Sequence, residues 1–193
     1  METTKQAMLD RVKLPLTFDV QKMAEEVQAL NLERFVYYDV QPLRSPAHFV
    51  DPSLPLPPPA DDYADGSWTD WKNTILLEKL PYIHEIMKGF QEHTKVNLVR
   101  LLRLSPGAVV KEHTDPTLGL HIEKSVVRLT IPILTNDETV FYLNRKPVDM
   151  KPGQCWYLRL TDPHMIENHG ATERINLTLD MIPNDWVRSL IKN

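Results

Sequence analysis

A single cysteine, Cys155, in a chain of 193 residues has no partner, so no intrachain disulfide forms and a zinc site built on several thiolates is excluded. Basic clusters are missing as well. Lys and Arg occur in no run longer than two and the net charge is -4, so there is no cationic stripe to displace the counterions of a nucleic acid. No apolar stretch approaches the roughly 20 residues that span a bilayer. The opening Met1-Glu-Thr-Thr-Lys5 lacks the basic-then-apolar pattern of a secretory leader. These absences predict a cytoplasmic protein with neither a nucleic acid nor a membrane as partner. A chain that is 42% hydrophobic and 25% charged has ordinary globular composition, and its length fits one domain.

Along the chain, Asp19 is placed to cap a helix running to about Leu30, with Val20, Met23, Ala24, Val27 and Leu30 on one face. Phe35 to Val40 reads as a short strand. Ser45 to Ser67 is proline-rich and includes Pro57-Pro58-Pro59, which predicts an extended loop of the kind that serves as a lid or a surface strap. Pro81 opens a second amphipathic helix with Ile83, Ile86, Met87 and Phe90 inward.

From Val96 the periodicity changes to two. Strands are predicted over Asn97–Leu104, Ala108–Glu112, Ser125–Leu134, Thr139–Leu143, Gln154–Leu160 and Arg174–Met181, with turns at Ser105-Pro106-Gly107, Asn136-Asp137 and Pro152-Gly153. Short strands with no helices between them predict a mostly β protein with N-terminal helices. Its core would be an antiparallel double-stranded β-helix, the cupin-like jelly roll. The expected layout is a helical lead-in and proline-rich loop over residues 1–95, a catalytic core over 96–183 and a tail over 184–193.

The chemistry concentrates in that core. His113 and Asp115 stand two apart, a spacing that sends both side chains to one face of an extended segment. His164 follows a predicted strand, where it could meet the pair across the mouth of a barrel, with His169 as its local competitor. Two imidazoles and one carboxylate occupy one face of a ferrous ion and leave the other open. Arg174, ten residues beyond His164, begins a strand whose polar face is Arg174, Asn176, Thr178 and Asp180 and whose apolar face is Ile175, Leu177, Leu179 and Met181. Arg128 and Thr130 form a similar polar face. Periodicity leaves two readings of these faces open: solvated, or turned into the barrel, where an arginine fork holds a carboxylate through two bonds.

The segments Val99-Arg-Leu-Leu-Arg-Leu-Ser-Pro-Gly107, His113-Thr-Asp-Pro116, Arg128-Leu-Thr-Ile-Pro132, Pro163-His-Met-Ile-Glu-Asn-His-Gly170 and Arg174-Ile-Asn-Leu-Thr-Leu-Asp180 together resemble the aspartyl/asparaginyl β-hydroxylase family of Fe(II)/2-oxoglutarate-dependent dioxygenases. The resemblance implies that His113, Asp115 and His164 ligate Fe(II), that Arg174 pairs with the distal carboxylate of 2-oxoglutarate, and that Arg128 assists nearer the metal. The vertebrate-type peptide hydroxylases of this family carry a glycine in place of the triad carboxylate and tend to carry a histidine in place of Arg128. Asp115 and Arg128 make the chain look more like the bacterial branch that includes the cis-proline hydroxylases.

The implied activity is hydroxylation of a C–H bond in a small substrate, a free amino acid or derivative, with dioxygen consumed and succinate and CO2 released. Arg103, Arg159 and Trp156 are the candidate substrate contacts, and Trp68 and Trp71 are candidate lid residues. Two other readings share the fold: a cupin-type metalloenzyme that does not use 2-oxoglutarate, and a non-catalytic jelly-roll module that binds a ligand.

Overall fold

The computed structural model describes residues 9–31, 39–57 and 66–192. Residues 35–38 of the strand expected over Phe35 to Val40 lie outside them, as do the second and third prolines of the Pro57-Pro58-Pro59 run. The described chain begins with strand β1 (Arg11–Thr17) and helix α1 (Val20–Ala29). Asp19 does cap α1, its side chain accepting from Lys22 N at 3.1 Å. Strand β2 (Val40–Pro46), helix α2 (Ala47–Val50), strand β3 (Trp71–Asn73), helix α3 (Ile75–Glu78) and helix α4 (Pro81–Gln91) follow. Strands β4 (Val96–Leu104), β5 (Val109–His113), β6 (Val127–Leu134), β7 (Thr139–Leu143), β8 (Lys146–Val148), β9 (Gln154–Leu158), β10 (His164–Asn168) and β11 (Arg174–Met181) complete the sheets, and helix α5 (Asp185–Ile191) closes the chain.

The strands form an antiparallel seven-stranded sheet, β1-β9-β6-β11-β4-β2-β3, and a four-stranded sheet, β5-β10-β7-β8. This is the mostly β, jelly-roll architecture that the strand spacing predicts. Three elements differ from the sequence-based expectation. The region before residue 96 is not only helical, because β1, β2 and β3 extend the larger sheet. Ser45 and Pro46 end β2 and Ala47–Val50 is helical, so the start of the expected proline-rich loop is regular structure. The tail folds into α5 and buries Val187 and Ile191.

Alternation on the central strands sets the layers. Val99, Leu101, Leu129, Ile131, Leu177 and Leu179 face outward from the site and pack under α1, α4 and α5, against Met23, Val27, Ile83, Met87, Phe90 and Val187. Both faces of β11 are therefore buried, and its polar residues point between the two sheets. A smaller apolar cluster around Phe141, Leu143, Val148, Leu158 and Leu160 fills one end of the space between them. Among the described residues no helix is long and apolar enough to cross a membrane.

Candidate metal centre

Strands β5 and β10 pair so that His164 lies directly opposite His113, with ring centroids 4.2 Å apart. The two histidines are thus register partners on adjacent strands. Strand β5 ends at His113, so Asp115 does not share its face by strand alternation. A backbone bond fixes it instead: Asp115 N donates to Leu160 O at 2.8 Å. One ligand atom from each of His113, Asp115 and His164 lies within 4.8 Å of the others.

The hydrogen bonds select the ligand atoms. Nδ1 of His113 lies 2.8 Å from Lys111 O, and Nδ1 of His164 lies 2.9 Å from Asp162 O. A carbonyl only accepts, so each Nδ1 carries the proton and each Nε2 keeps a lone pair. His164 is buried, its ring stacked near Phe141 with centroids 5.9 Å apart, while His113 is exposed. Burial lowers the His164 pKa against a partly opposing bond to the Asp162 carbonyl, and this favours the neutral ligating form. Two neutral imidazoles and a carboxylate with one side open fit a divalent iron. His169, the competitor, is exposed and faces Glu167 at 3.3 Å.

A cavity of about 390 Å³ between the sheets is lined by His113, Asp115 and His164 at one part of its wall and by Thr130, Arg174, Asn176 and Thr178 at another. The polar faces of β6 and β11 therefore turn inward. Burial pushes the Arg174 guanidinium down to about 10, and among the described residues no carboxylate pairs with it. With the Asn176 amide turned to present its oxygen, Arg174 Nη1 and Nη2 donate to it at 2.8 and 2.6 Å.

Arg128 lies between this cavity and a second one. Its Nε and Nη2 donate to Asp180 at 2.6 and 2.8 Å, and its Nη1 lies 3.4 Å from Asp115 Oδ2. Burial opposes both charges of the pair. The mutual attraction prevails, holding the Asp180 carboxyl below its usual range and the Arg128 guanidinium above. The second cavity, about 310 Å³, shares Asp115 and Arg128 with the first and adds Asp180, Trp68, Trp71, Leu118 and Val126.

Sequence reasoning passed over Arg100. Its Nη2 lies 3.7 Å from Asp180 Oδ2, and its Nε and Nη2 are buried without a hydrogen-bond partner. Burial, reinforced by the Arg128 charge, pushes it down to about 10. The signal was present in the strand, since the alternation that buries Val99 and Leu101 sends Arg100 to the opposite face.

The three substrate candidates lie elsewhere or are engaged. Arg103 reaches the wall of the first cavity but pairs with Asp39 at 3.1 Å and lies 3.9 Å from Glu173. Arg159 lines neither cavity and is forked onto Asp162 within a turn. Trp156 packs against the smaller apolar cluster and donates to Gln154 Oε1 at 3.1 Å, away from both cavities.

Comparison with known proteins agrees with this geometry. The family model for aspartyl/asparaginyl beta-hydroxylase matches residues 63–183. The chain belongs to that family. It is 26% identical over 120 residues to an L-proline cis-4-hydroxylase of Rhizobium meliloti (strain 1021), covering 62% of this chain and 42% of the relative. It is 27% identical over 135 residues to an L-proline cis-3-hydroxylase 2 of a Streptomyces species, covering 66% and 45%. The family member thus spans less than half the length of these two relatives. In fold it is similar to a 2OG-Fe(II) oxygenase family oxidoreductase from Burkholderia pseudomallei, with a TM-score of 0.53 at 16% identity over 89% of this chain and 84% of that one.

Proposed function

We propose that this family member is an Fe(II)/2-oxoglutarate-dependent hydroxylase of a small amino-acid-like substrate. One observation carries the reading: His113, Asp115 and His164 converge on one point of a cavity whose wall also carries the buried, carboxylate-free Arg174. In this reading the three converging side chains hold the iron, Arg174 forks onto the distal carboxylate of 2-oxoglutarate, and Thr130, Asn176 and Thr178 line its path. Iron and 2-oxoglutarate together supply oxidative decarboxylation coupled to insertion of one oxygen atom from O2 into a C–H bond, with succinate and CO2 as coproducts.

The protein's part is placement. Once Asp115 serves a metal, the cluster of Arg100, Arg128 and Asp180 carries an excess positive charge, and a bound carboxylate neutralises it. The second cavity, with its indole walls, seats the substrate on the far side of the Asp115–Arg128 contact from Arg174. Its size suits a free amino acid. The relatives named for L-proline point the same way. Residues 9–192 act as one domain, in the cytoplasm, where the lone buried Cys155 stays reduced.

The test is anaerobic addition of Fe(II) and then 2-oxoglutarate, read by the weak visible charge-transfer band of the chelate. Air is then admitted with a panel of free amino acids and succinate is measured. The reading requires the band in the native chain, its loss in His164→Ala, and succinate release stimulated by at least one amino acid. Metal binding without the band overturns it in favour of another cupin chemistry. Binding of neither metal nor 2-oxoglutarate leaves a ligand-binding module.

A further inference from the structure

Beside the metal centre the structure contains a polar network that the proposed chemistry does not use, and its members Asp10, Arg11, Asn144, Arg159 and Asp162 line neither cavity. It surrounds the turn at residues 159–163, between β9 and β10. Two of the three candidate ligands are placed by carbonyls of this one turn. Leu160 O accepts from Asp115 N at 2.8 Å, and Asp162 O receives Nδ1 of His164 at 2.9 Å. The turn therefore fixes a carboxylate and an imidazole relative to each other.

Several contacts fix the turn itself. Asp162 N donates to Arg159 O at 2.9 Å. Arg159 forks onto the Asp162 carboxylate, with Nε at 3.0 Å and Nη2 at 2.7 Å. Asn144, at the β7–β8 turn, then makes two contacts. Its backbone N donates to Pro163 O at 2.8 Å, and its side-chain amide bridges Asp162 Oδ2 at 2.6 Å and Asp10 Oδ2 at 3.0 Å. Asp10 immediately precedes β1. Its carbonyl accepts from Arg159 N at 2.7 Å and its carboxylate is forked by Arg11, whose Nη2 reaches Leu143 O at 2.8 Å. Leu143 in turn is the register partner of His164 on β10.

We propose that Asn144 is a positioning residue for the metal centre. Its amide pins the two carboxylates that hold the 159–163 turn in the one shape presenting Asp115 and His164 together. The inference rests on the ligand assignment proposed above. One feature separates this role from that of a solvated side chain. The amide spends both its protons on carboxylates far apart in the chain, one just before β1 and one in the turn before β10, which closes a path from the start of β1 to the ligand-bearing turn. Asn144 also sits at φ 51, a left-handed conformation that asparagine and glycine tolerate. Asn144→Gly therefore removes the amide without straining the backbone.

The adjacent Arg145 supplies the control. It has φ 61 in the same turn, and its side chain is 83% exposed and reaches Glu112 at 3.4 Å, not the network, so Arg145→Gly makes the same kind of change without touching the clamp. The experiment titrates metal-free protein with Co(II), reading the d–d absorption bands and the melting temperature of each unloaded variant. Asn144→Gly is expected to bind Co(II) about 10- to 100-fold more weakly than the native chain, with shifted bands, and Arg145→Gly to keep the native affinity and bands. Asp162→Asn, which keeps the carbonyl but weakens the Arg159 fork, is expected to lose affinity in the same direction and carries the test if Asn144→Gly does not fold. Native affinity and bands in Asn144→Gly overturn the inference and leave the ligand assignment intact. If His164→Ala binds Co(II) as tightly as the native chain, the ligand assignment fails first and the inference with it.

Discussion

Replacing Arg174 by methionine separates an anchor for a bound anion from a structural arginine, because the two roles predict opposite signs. Burial lowers the guanidinium from 12.5 to about 10 with no carboxylate to compensate. At about 1.36 kcal/mol per unit, a shift of that size means the charge costs the unloaded fold about 3 kcal/mol. A depressed cation of this kind favours the unfolded chain at every pH below its folded value, and the cost is relieved only as pH rises through about 10. Methionine removes that cost and fills similar volume. It also removes the contacts of a charged donor to the single Asn176 oxygen, about 1.5–3 kcal/mol, which at most cancels that gain. The unloaded variant is therefore expected to melt at or above the native temperature.

With 2-oxoglutarate present the ordering reverses. Two charge-assisted bonds to a carboxylate contribute about 1.5–3 kcal/mol each, so their loss weakens cosubstrate binding by about two to four powers of ten. At a concentration 100 times the native Kd, the native chain gains about 2.7 kcal/mol from the ligand and the variant only a few tenths. Differential scanning fluorimetry under anaerobic Fe(II), with and without 2-oxoglutarate, reads both signs. A variant that melts well below the native chain when unloaded, or that keeps the full 2-oxoglutarate shift, refutes the reasoning.

Other perturbations test neighbouring parts. Asp180→Asn leaves the buried Arg128 and Arg100 with the half-buried Asp115 as their nearest counter-charge and is expected to cost about 3 kcal/mol in urea unfolding. The native Asp180 carboxyl is held below its ordinary value of 3.8, so its contribution is complete above that pH and is lost as pH falls through the lower folded value; Asp180→Asn should flatten this acid limb of a stability-versus-pH curve. Gly153 has φ +78, and a Cβ there would lie 2.6 Å from Phe18 O. Gly153→Ala should therefore lower the melting temperature while leaving Co(II) affinity unchanged.

How far the sequence revealed this molecule depends on the interaction at each place. Asp19 and Pro81 mark helix starts by local chemistry, and both helices begin there. Strands β4 to β7, β9 and β11 were visible because each carries an alternating or continuous apolar pattern long enough to read. Strand β10 escaped notice: His164-Met-Ile-Glu-Asn168 alternates poorly, and pairing on both sides, with β5 and β7, makes it a strand. The triad was legible as residue types at a spacing, although Asp115 reaches the site through a backbone bond to Leu160 and not through strand parity. The inward turn of the β6 and β11 polar faces was one of two readings the pattern allowed, and helices on the opposite face decide it. Arg159 and Trp156 were misplaced because a turn fork and a cluster contact depend on three-dimensional neighbours.

The face-to-face placement of His113 and His164 across β5 and β10 has a consequence for assembly. Side chains along a strand alternate, so sliding either strand by a single residue would swing one imidazole to the wrong side of the smaller sheet. A cation held by both rings, as in the proposed metal centre, would be compatible with only one alignment of these strands. Bound metal would then stabilise the native β5–β10 alignment relative to a one-residue slip.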